Sequence, residues 1–551
     1  MPEVLTYWHT LRYLKPVQIF GRIWFYLFHP RPDQSHTPPR RTTQTMFVGP
    51  CRRNPTMTNL GQFTFLNESG SVNSASDWNN PEKTKLWLYN LHYFDDMNAV
   101  GAVERHEWHR SLIQRWIDEN PPVRGVGWEP YPTSLRIVNW IKWSLNCDDL
   151  SASASHSLAV QIRWLRKKIE YHLLGNHLFA NSKALIFAGC FFKGHEAEQW
   201  FHDGYTIINR ELKEQVLLDG GHFELSPMYH LIVLEDLLDL INILQAFGYD
   251  APESWIDSII RMLCWADVMT HPDGEIPFFN DAALGVAPRF SELKEYAEKL
   301  GIQHKYRQNT PIVLLSHSGY SRMCTKNFTA FLDTARVGPN YLPGHAHADT
   351  LSLELSMGKE RILVNSGTSL YRKNAERQWQ RGTAAHNTVS VDGLNSSDVW
   401  AGFRVGRRAY VHDIVDDIEN IRLSAWHDGF LHLPGKLKHF RSVSLSDTSL
   451  NVIDRVTGIG EHRIQGFWYL HPEVTVKLDQ LRQKNQVYLH HQAMPNQIIF
   501  VSFDGPVQVK IEPSIYYPEF GVKISNRRLV YEYQGRLPVE VRSIITLISE
   551  S

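Results

Sequence analysis

Apolar residues recur at helical spacing from about residue 85 to about residue 300. One stretch places them three or four positions apart, at Leu158, Ile162, Leu165, Ile169 and Leu173. Because this spacing lines one face of a helix, it predicts a helix closed by Gly175. A similar pattern from about residue 230 to residue 247 predicts a second helix, ended by Gly248. The short polar turns between such helices are typical of antiparallel helix pairs.

After about residue 310 the pattern changes to short β-rich runs separated by Gly, Asn and Asp turns. The runs cover residues 361–364, 388–391, 449–454, 497–503, 507–512 and 539–548. Their spacing is typical of a β-sandwich, and helices followed by strands predict two domains. We therefore expect a multidomain α-then-β chain. It has a helical segment and extended arm over 1–84, a helical domain over 85–305 and an antiparallel β-sandwich over 306–551.

Composition narrows the function classes. The net charge is −1, so no global field favours nucleic acid or an anionic membrane. The 17 Trp and 27 His hint at carbohydrate binding, because flat rings stack on sugar faces. Five cysteines without a CxxC pair argue against a zinc ribbon or a disulfide scaffold. No apolar run is long enough to predict a transmembrane helix, and charged residues interrupt any signal-peptide pattern. We expect no organic cofactor.

The aromatic stretch from Val17 to Phe28 is apolar enough to dock on another surface. We expect it to pack on its own domain, with contact to a membrane surface as the alternative.

Two predicted helical segments contain candidate catalytic residues. Asn176 and His177 follow Gly175 at a predicted helix–helix junction, with helix capping or surface solvation as the alternative. Ser226 and Pro227 mark the start of a helix that holds Tyr229 in its first turn. There the positive end of the helix dipole would stabilise a phenolate, although a half-buried packing role is also open.

A third segment, GHAHAD, opens the β-rich half. If it is extended, His345 and His347 project to the same side. A metal would need a third ligand, for which Asn365 and His386 are candidates. Two imidazoles and an oxygen suit zinc, whereas a hydrogen-bonded histidine cluster without metal is the alternative.

Five segments together, in the order GNHLFAN, ELSPMYH, GHAHADTLSLEL, VNSGTSLY and RGTAAHNTVSVDG, resemble the heparinase II/III-like polysaccharide lyases. The resemblance runs from about residue 85 to the C-terminus. It implies an incomplete (α/α) toroid of antiparallel helix pairs followed by an antiparallel β-sandwich. It also implies β-elimination at a uronic acid, with an anionic polysaccharide as the partner molecule.

The resemblance also implies residue roles. Asn176, with His177, would neutralise the substrate carboxylate. Tyr229 would be the general acid and in some stereochemistries also the base, and His345 would be the second acid–base group. His347, position 365 and His386 match the family's structural metal site, although relatives commonly have Asp where this chain has Asn365.

Other positions are candidates for the substrate groove. Trp128, Tyr131 and Arg136 resemble the groove wall, and Arg381 is a further candidate for binding the polymer's acidic groups. Helix packing for Trp128 and ordinary surface ion pairs for the two arginines are the alternatives.

Two other functions stay open: a uronyl 5-epimerase, and a non-catalytic glycan-binding protein of polysaccharide assembly. The family resemblance indicates the bacterial periplasm or cell envelope, although no signal peptide is visible.

Overall fold

A computed structural model describes residues 4–147, 149–303, 310–476 and 485–549. The α-helices among them are α1 (Val4–Leu11), α2 (Pro16–Leu27), α3 (Lys85–Tyr93), α4 (His106–Glu119), α5 (Pro130–Asn146), α6 (Ala152–Lys167), α7 (Gly175–Phe191), α8 (His195–Gln215), α9 (Pro227–Ala246), α10 (Glu253–Val268), α11 (Phe290–Lys299) and α12 (Ala375–Gln380).

The strands, apart from a small sheet near the N-terminus, follow the main helices. They are β1 (Met57–Asn59), β2 (Gln62–Phe65), β3 (Glu68–Ser71), β4 (Ile312–Leu315), β5 (Tyr320–Cys324), β6 (Phe328–Asp333), β7 (Leu353–Met357), β8 (Glu360–Leu363), β9 (Val389–Val391), β10 (Val399–Trp400), β11 (Arg404–Val405), β12 (Val411–Asp417), β13 (Arg422–His427), β14 (Lys438–Leu445), β15 (Ser449–Thr457), β16 (Glu461–Tyr469), β17 (Val474–Val476), β18 (Gln486–His491), β19 (Gln497–Asp504), β20 (Gln508–Tyr516), β21 (Ile524–Arg536) and β22 (Val539–Ser549).

Helices α3 to α11 pack around one large apolar core. Helix α7 is buried on nearly every side, including its polar residues Asn181, Ser182 and Lys183. Helices α5, α8 and α9 pack directly against it. Among the described helices, none is both long enough and apolar enough to cross a bilayer.

The β half contains three larger antiparallel sheets with a shared core. Their strand orders are β4-β5-β6-β7-β8, β20-β21-β16-β9 and β12-β13-β14-β15-β22-β19-β18-β17. Met323, Trp468 and Val452, one from each sheet, belong to the same apolar cluster. Strands β13, β14 and β15 alternate buried and exposed side chains, as expected where one sheet face covers the core.

Two local expectations were wrong. The arm expected over residues 30–80 contains the small sheet β1-β2-β3. Helix α6 ends at Lys167 rather than near Gly175, and Gly175 instead begins α7 with a φ of 55°. Asn176 and His177 therefore lie in the first turn of a helix. The arm before the small sheet also binds helix ends, because Arg41 N donates to Phe191 O at 2.8 Å.

Candidate active site

Tyr229 and His345 meet where the helical half contacts the strand half. Ser226 caps α9, and its hydroxyl accepts a hydrogen bond from Tyr229 N at 3.3 Å, which places the tyrosine in the first turn. His345 lies in the loop between β6 and β7, so the expectation of an extended strand there was wrong. The two rings pack with centroids 4.0 Å apart.

Asp281 is a fully buried carboxylate behind these rings. Its Oδ2 accepts from His345 Nδ1 at 2.9 Å and its Oδ1 from His347 Nε2 at 2.8 Å. The Arg377 guanidinium binds both carboxylate oxygens. Burial alone would raise the pKa of Asp281, but Arg377 and the two histidines hold it well below the usual value. An ionised Asp281 makes His345 carry its proton on Nδ1, which leaves Nε2 able to accept a proton.

Glu224 connects this group to α7. Its Oε1 accepts from Asn176 N at 3.2 Å, and its Oε2 lies 3.4 Å from His345 Nε2. The side chain is only 2% exposed, and burial raises the pKa of Glu224. Glu224 therefore lies beside the ring nitrogen of His345 that Asp281 does not bind.

The Tyr229 phenol lies against a second tyrosine. Its hydroxyl is hydrogen bonded to the Tyr371 hydroxyl at 3.1 Å. Burial and then the neighbouring Tyr371 raise the pKa of Tyr229 well above 10.0, which favours the neutral phenol over the expected dipole-stabilised phenolate. A neutral phenol can donate a proton, whereas a general base would need a lowered pKa.

His177 and Tyr131 form a second aromatic pair beside Asn176. Their ring centroids are 4.4 Å apart, and the His177 side chain is 31% exposed. His177 Nδ1 lies 3.2 Å from Glu170 Oε2. Burial opposes its charged form, but the Glu170 carboxylate outweighs burial and raises the pKa of His177. A cationic imidazole at an accessible position can bind an anion.

Three residues expected in the substrate groove are buried in the protein. Trp128 is 4% exposed, while Arg136 and Arg381 are both fully buried. The Arg136 guanidinium packs 3.9 Å from the Trp116 ring centroid, and its Nε donates to Gln161 Oε1. Arg381 donates to main-chain carbonyl groups, including that of residue 346. Without exposed surface, none of the three can contact a polymer, so this expectation is corrected.

His347 and His386 form part of a candidate metal centre, and its third residue is not the expected Asn365. His386 Nδ1 must donate to Gly382 O, which lies 2.9 Å away, and His347 Nε2 must donate to the ionised Asp281. The remaining lone pairs, on His347 Nδ1 and His386 Nε2, face each other at 3.1 Å. This arrangement needs either a second proton on one of the rings or a cation bound by both nitrogens, and the second possibility fits a metal ion.

The carboxylate of Asp349 completes the group. One ligand atom each from His347, Asp349 and His386 lies within 4.8 Å of the other two. Asn365, the expected third ligand, instead accepts a hydrogen bond from Asn387 N through its Oδ1 at 3.0 Å. Asp349, two positions after His347, was missed although it belongs to the same GHAHAD segment.

A second group, His471, Glu473 and His491, also has metal-ligand spacing. His491 Nδ1, however, accepts a hydrogen bond from Ala493 N at 3.1 Å, which places the ring proton on Nε2. That nitrogen faces Glu473 Oε2 at 3.5 Å. A protonated Nε2 cannot ligate a metal, so this group is better described as a histidine–carboxylate contact.

A cleft in the helical half has Tyr131, Ala180 and Ile232 in its walls, whereas Asn176, Tyr229 and His345 do not line it. Ala180 lies four positions after Asn176 on α7 and Ile232 three after Tyr229 on α9, so each pair shares a helix face. The basic groups in the cleft are paired with acids. These ion pairs are Arg53–Glu235, Lys142–Asp239, Lys183–Asp236 and Lys183–Asp239.

Sequence reasoning missed Asp281, Tyr371 and Arg377 as parts of the site. A signal existed for Asp281, because a charged residue after Phe278-Phe279-Asn280 stands in an otherwise apolar run. Tyr371 closes the VNSGTSLY segment. Arg377 could not be separated from the surface arginines.

The chain is similar to known proteins in both sequence and fold. The family described as "Heparinase II/III N-terminus" matches residues 62–305, and "Heparinase II/III-like, C-terminal" matches residues 307–544. A "Heparin-sulfate lyase" of Bacteroides stercoris is 30% identical over 61% of this chain and 59% of that protein. "FtsZ-localized protein C" of Caulobacter vibrioides is 25% identical over 82% of this chain and 80% of that protein.

The matched heparin-sulfate lyases are longer proteins, of which the chain spans 59%, 36% and 48%. A solved structure titled "Crystal Structure of Heparinase III" has a TM-score of 0.68 at 19% identity, over 88% of this chain and 80% of that one. Heparan sulfate lyase HepC from Pedobacter heparinus has a TM-score of 0.57 at 18% identity, over 97% and 88%. These likenesses confirm the expected fold class, an incomplete (α/α) toroid followed by an antiparallel β-sandwich. The chain belongs to the heparinase II/III-like family.

Proposed function

We propose that the chain is a polysaccharide lyase that cleaves a uronic-acid-containing polysaccharide by β-elimination. The observation that carries the proposal is the packing of the Tyr229 phenol against the imidazole of His345, whose Nδ1 donates to Asp281. One group can donate a proton and the other can accept one beside the same space. The names of the matched lyases support this reaction class.

β-Elimination removes the proton on carbon 5 of the uronate and protonates oxygen 4 as the glycosidic bond breaks. In this proposal His345 Nε2 takes the carbon proton while Asp281 holds the imidazole in the required tautomer. Tyr229 donates the proton to oxygen 4. Asn176 and His177, in the first turn of α7, bind the carboxylate and so stabilise the charge that develops next to it.

The charge of the cleft supports a substrate of low charge density. The basic side chains Lys142, Lys183 and Arg53 are already neutralised by carboxylates. A heavily sulfated polymer would therefore find few unpaired cations there. Uronate-containing polymers with few sulfates, of the glycosaminoglycan, alginate or bacterial capsule type, are the better candidates.

We further propose that His347, Asp349 and His386 hold one structural zinc ion, which would tie the GHAHAD loop to the loop before β9. Elemental analysis should find about one zinc per chain. The variant His386→Ala should lose the metal and unfold at a lower temperature. Asn365→Ala is the matched control and should keep it. Metal-free protein with the melting temperature of the untreated sample would contradict the site.

The lyase proposal is tested by ultraviolet absorbance of the unsaturated uronate product. Heparan sulfate, hyaluronan, chondroitin, alginate and bacterial capsule preparations form the panel. The native chain should produce the absorbance on at least one polymer, and Tyr229→Phe and His345→Ala should lose it. If both variants keep wild-type turnover, the assigned roles are wrong. Changed sugar stereochemistry without the absorbance would instead indicate a uronyl 5-epimerase.

A second candidate is a binding protein without turnover. The name of FtsZ-localized protein C gives a location and no lyase reaction, and its alignment covers more of both chains than the alignment with the Bacteroides stercoris lyase does. Binding of a panel polymer with no absorbance and no stereochemical change would support this candidate over the lyase.

A further inference from the structure

The two N-terminal helices turn an apolar surface to solvent, which we name the N-terminal apolar face. It consists of Val4, Leu5, Trp8, Leu11, Val17, Ile19, Phe20, Ile23, Trp24, Tyr26 and Leu27. Each of these side chains is between 39% and 86% exposed. Isolated exposed apolar residues are normal on proteins, but eleven of them on two successive helices indicate an interaction surface.

Contacts on the opposite side of each helix fix this orientation. Gln18 Nε2 donates to Tyr341 O at 3.0 Å, and the Phe25 ring packs 4.4 Å from the His172 ring. On α1, Thr10 Oγ1 donates to Val405 O at 3.2 Å. A surface helix ordinarily buries its apolar side and exposes its polar side. Here much of the apolar side is exposed, and the expectation that this stretch packs on its own domain accounts for only one side of α2.

Positive charge surrounds the face. Residues 4–32 contain Arg12, Lys15, Arg22 and Arg31 and no Asp or Glu, although the chain as a whole has a net charge of −1. The strand half adds Arg404, whose pKa is lowered by burial and then by the nearby Arg22. Lys15 is paired with Glu214, whereas Arg12 and Arg22 are exposed.

We propose that the N-terminal apolar face docks on the surface of an anionic lipid bilayer. The helices would lie in the plane of the interface, with Trp and Phe rings at the boundary of headgroups and acyl chains and the arginines beside the lipid phosphates. Trp and Tyr are favoured at this depth because their rings are amphipathic.

The positive charge around the N-terminal apolar face favours an anionic bilayer over a second copy of the chain as its partner. In a two-fold symmetric dimer the same patch appears on both subunits, so the two arginine-rich edges would lie close together. Like charges across an interface disfavour association. An anionic bilayer provides both an apolar layer and the opposite charge.

Docking would hold the candidate active site near the bilayer. Gln18 binds the main chain at Tyr341, and Leu342, the next residue, packs against Gly175 immediately before Asn176. The face and the carboxylate-binding end of α7 are therefore connected through one short segment. A polymer that is attached to or held at the membrane would meet the cleft without leaving the surface.

Cosedimentation of the full chain with lipid vesicles tests the proposal. Vesicles of phosphatidylcholine mixed with phosphatidylglycerol should bind the chain, pure phosphatidylcholine should bind it less, and added salt should weaken binding. The combined variant Phe20→Ser, Trp24→Ser and Leu27→Ser should lower binding at least about 10-fold, because three apolar groups are lost from the interface. The charge variant Arg12→Gln with Arg22→Gln should remove the preference for anionic lipid.

The matched control is Leu218→Ser with Ile459→Ser, which removes two apolar side chains that are 74% and 79% exposed elsewhere. It should bind vesicles like the native chain. Turnover of a polymer free in solution should be the same for all variants, which separates this test from that of the lyase reaction. No binding to anionic vesicles, or an equal loss in the control, would overturn the proposal. So would a lipid-free dimer that the triple variant dissociates, because the face would then be covered by a second copy.

Discussion

The substitution Asp281→Asn probes the centre of the candidate site with almost no change in side-chain volume. Asp281 is fully buried and accepts hydrogen bonds from Arg377, His345 and His347. The amide keeps one acceptor oxygen but removes the negative charge. It also places an N–H where one of the histidines now donates.

The expected loss has two parts. Arg377 is fully buried, so without Asp281 its charge is uncompensated, and breaking such a pair costs about 3–5 kcal/mol of unfolding free energy. The turnover number should fall by about 10²- to 10⁴-fold, because the amide no longer holds the His345 proton on Nδ1. The first part is measured by denaturant unfolding and the second by the absorbance assay on a polymer that the native chain cleaves.

Asp454 provides a matched control for the stability effect. It is also buried, and it accepts from Arg441 Nε at 2.7 Å and from His439 Nε2 at 2.7 Å, inside the β-sandwich. Asp454→Asn should therefore destabilise the chain by a similar amount and leave the turnover of the folded fraction unchanged. If Asp454→Asn lowers turnover as much as Asp281→Asn does, the loss is a folding effect and the role given to Asp281 is wrong.

The pH dependence gives an independent check with a defined sign. The pKa of Asp281 is held well below 3.8 in the folded chain, so its charge stabilises the fold above the unfolded value. That contribution is lost as the pH falls toward the folded pKa. The difference in unfolding free energy between the native chain and Asp281→Asn should be constant near neutral pH and shrink below about pH 4. A difference that does not shrink in acid would contradict an ionised Asp281.

Three further predictions concern single positions. Tyr229→Phe should lower the turnover number at least about 10²-fold while the melting temperature changes little, because only the hydroxyl contact to Tyr371 is lost. The Glu170 carboxylate raises the pKa of His177, and below that pKa the imidazolium binds the uronate. KM should therefore rise as the pH increases through the pKa of His177. The variant His177→Gln should flatten this pH dependence of KM. Arg136→Met should lower the free energy of unfolding by about 1–3 kcal/mol. It should leave KM within about twofold, because a buried guanidinium has no contact with substrate. A large increase in KM would indicate that Arg136 does bind the polymer.

The parts of the site that the sequence predicted are those with a local signal. Ser226 and Pro227 fix the start of α9, and the start fixes Tyr229 in the first turn. For Asp281 the local signal is only a charge in an apolar run, which does not reveal its role, because its partners lie 64, 66 and 96 positions away in the chain. Local pattern carries no information about which distant loops meet a buried carboxylate.

His345 and His347 of the GHAHAD segment do converge as expected, but not for the reason that predicted it. Alternation along a strand was the reason to expect His345 and His347 on one side, yet the segment is a loop. The side chains converge because both imidazoles donate to Asp281, one to each oxygen. Such hydrogen bonds, rather than backbone geometry, determine where the rings point in a loop.

Arginine was the residue type for which the sequence was least informative. A guanidinium in a sugar-binding groove and one inside a helical core have the same local pattern, because the aliphatic stem suits an apolar environment and the charged end needs only acceptors. Arg136 finds its acceptors in Gln161 and a main-chain carbonyl, and it stacks on Trp116. Its position offered one usable signal: it lies one turn before Trp140 on α5, and that tryptophan is fully buried. Residues four positions apart share a helix face, so the burial of one predicts the burial of the other. The lysines of the cleft likewise find partners that the sequence does not reveal, since Lys142 and Lys183 both pair with Asp239 of another helix. For this reason we expect a polymer of low charge density rather than one held by unpaired cations.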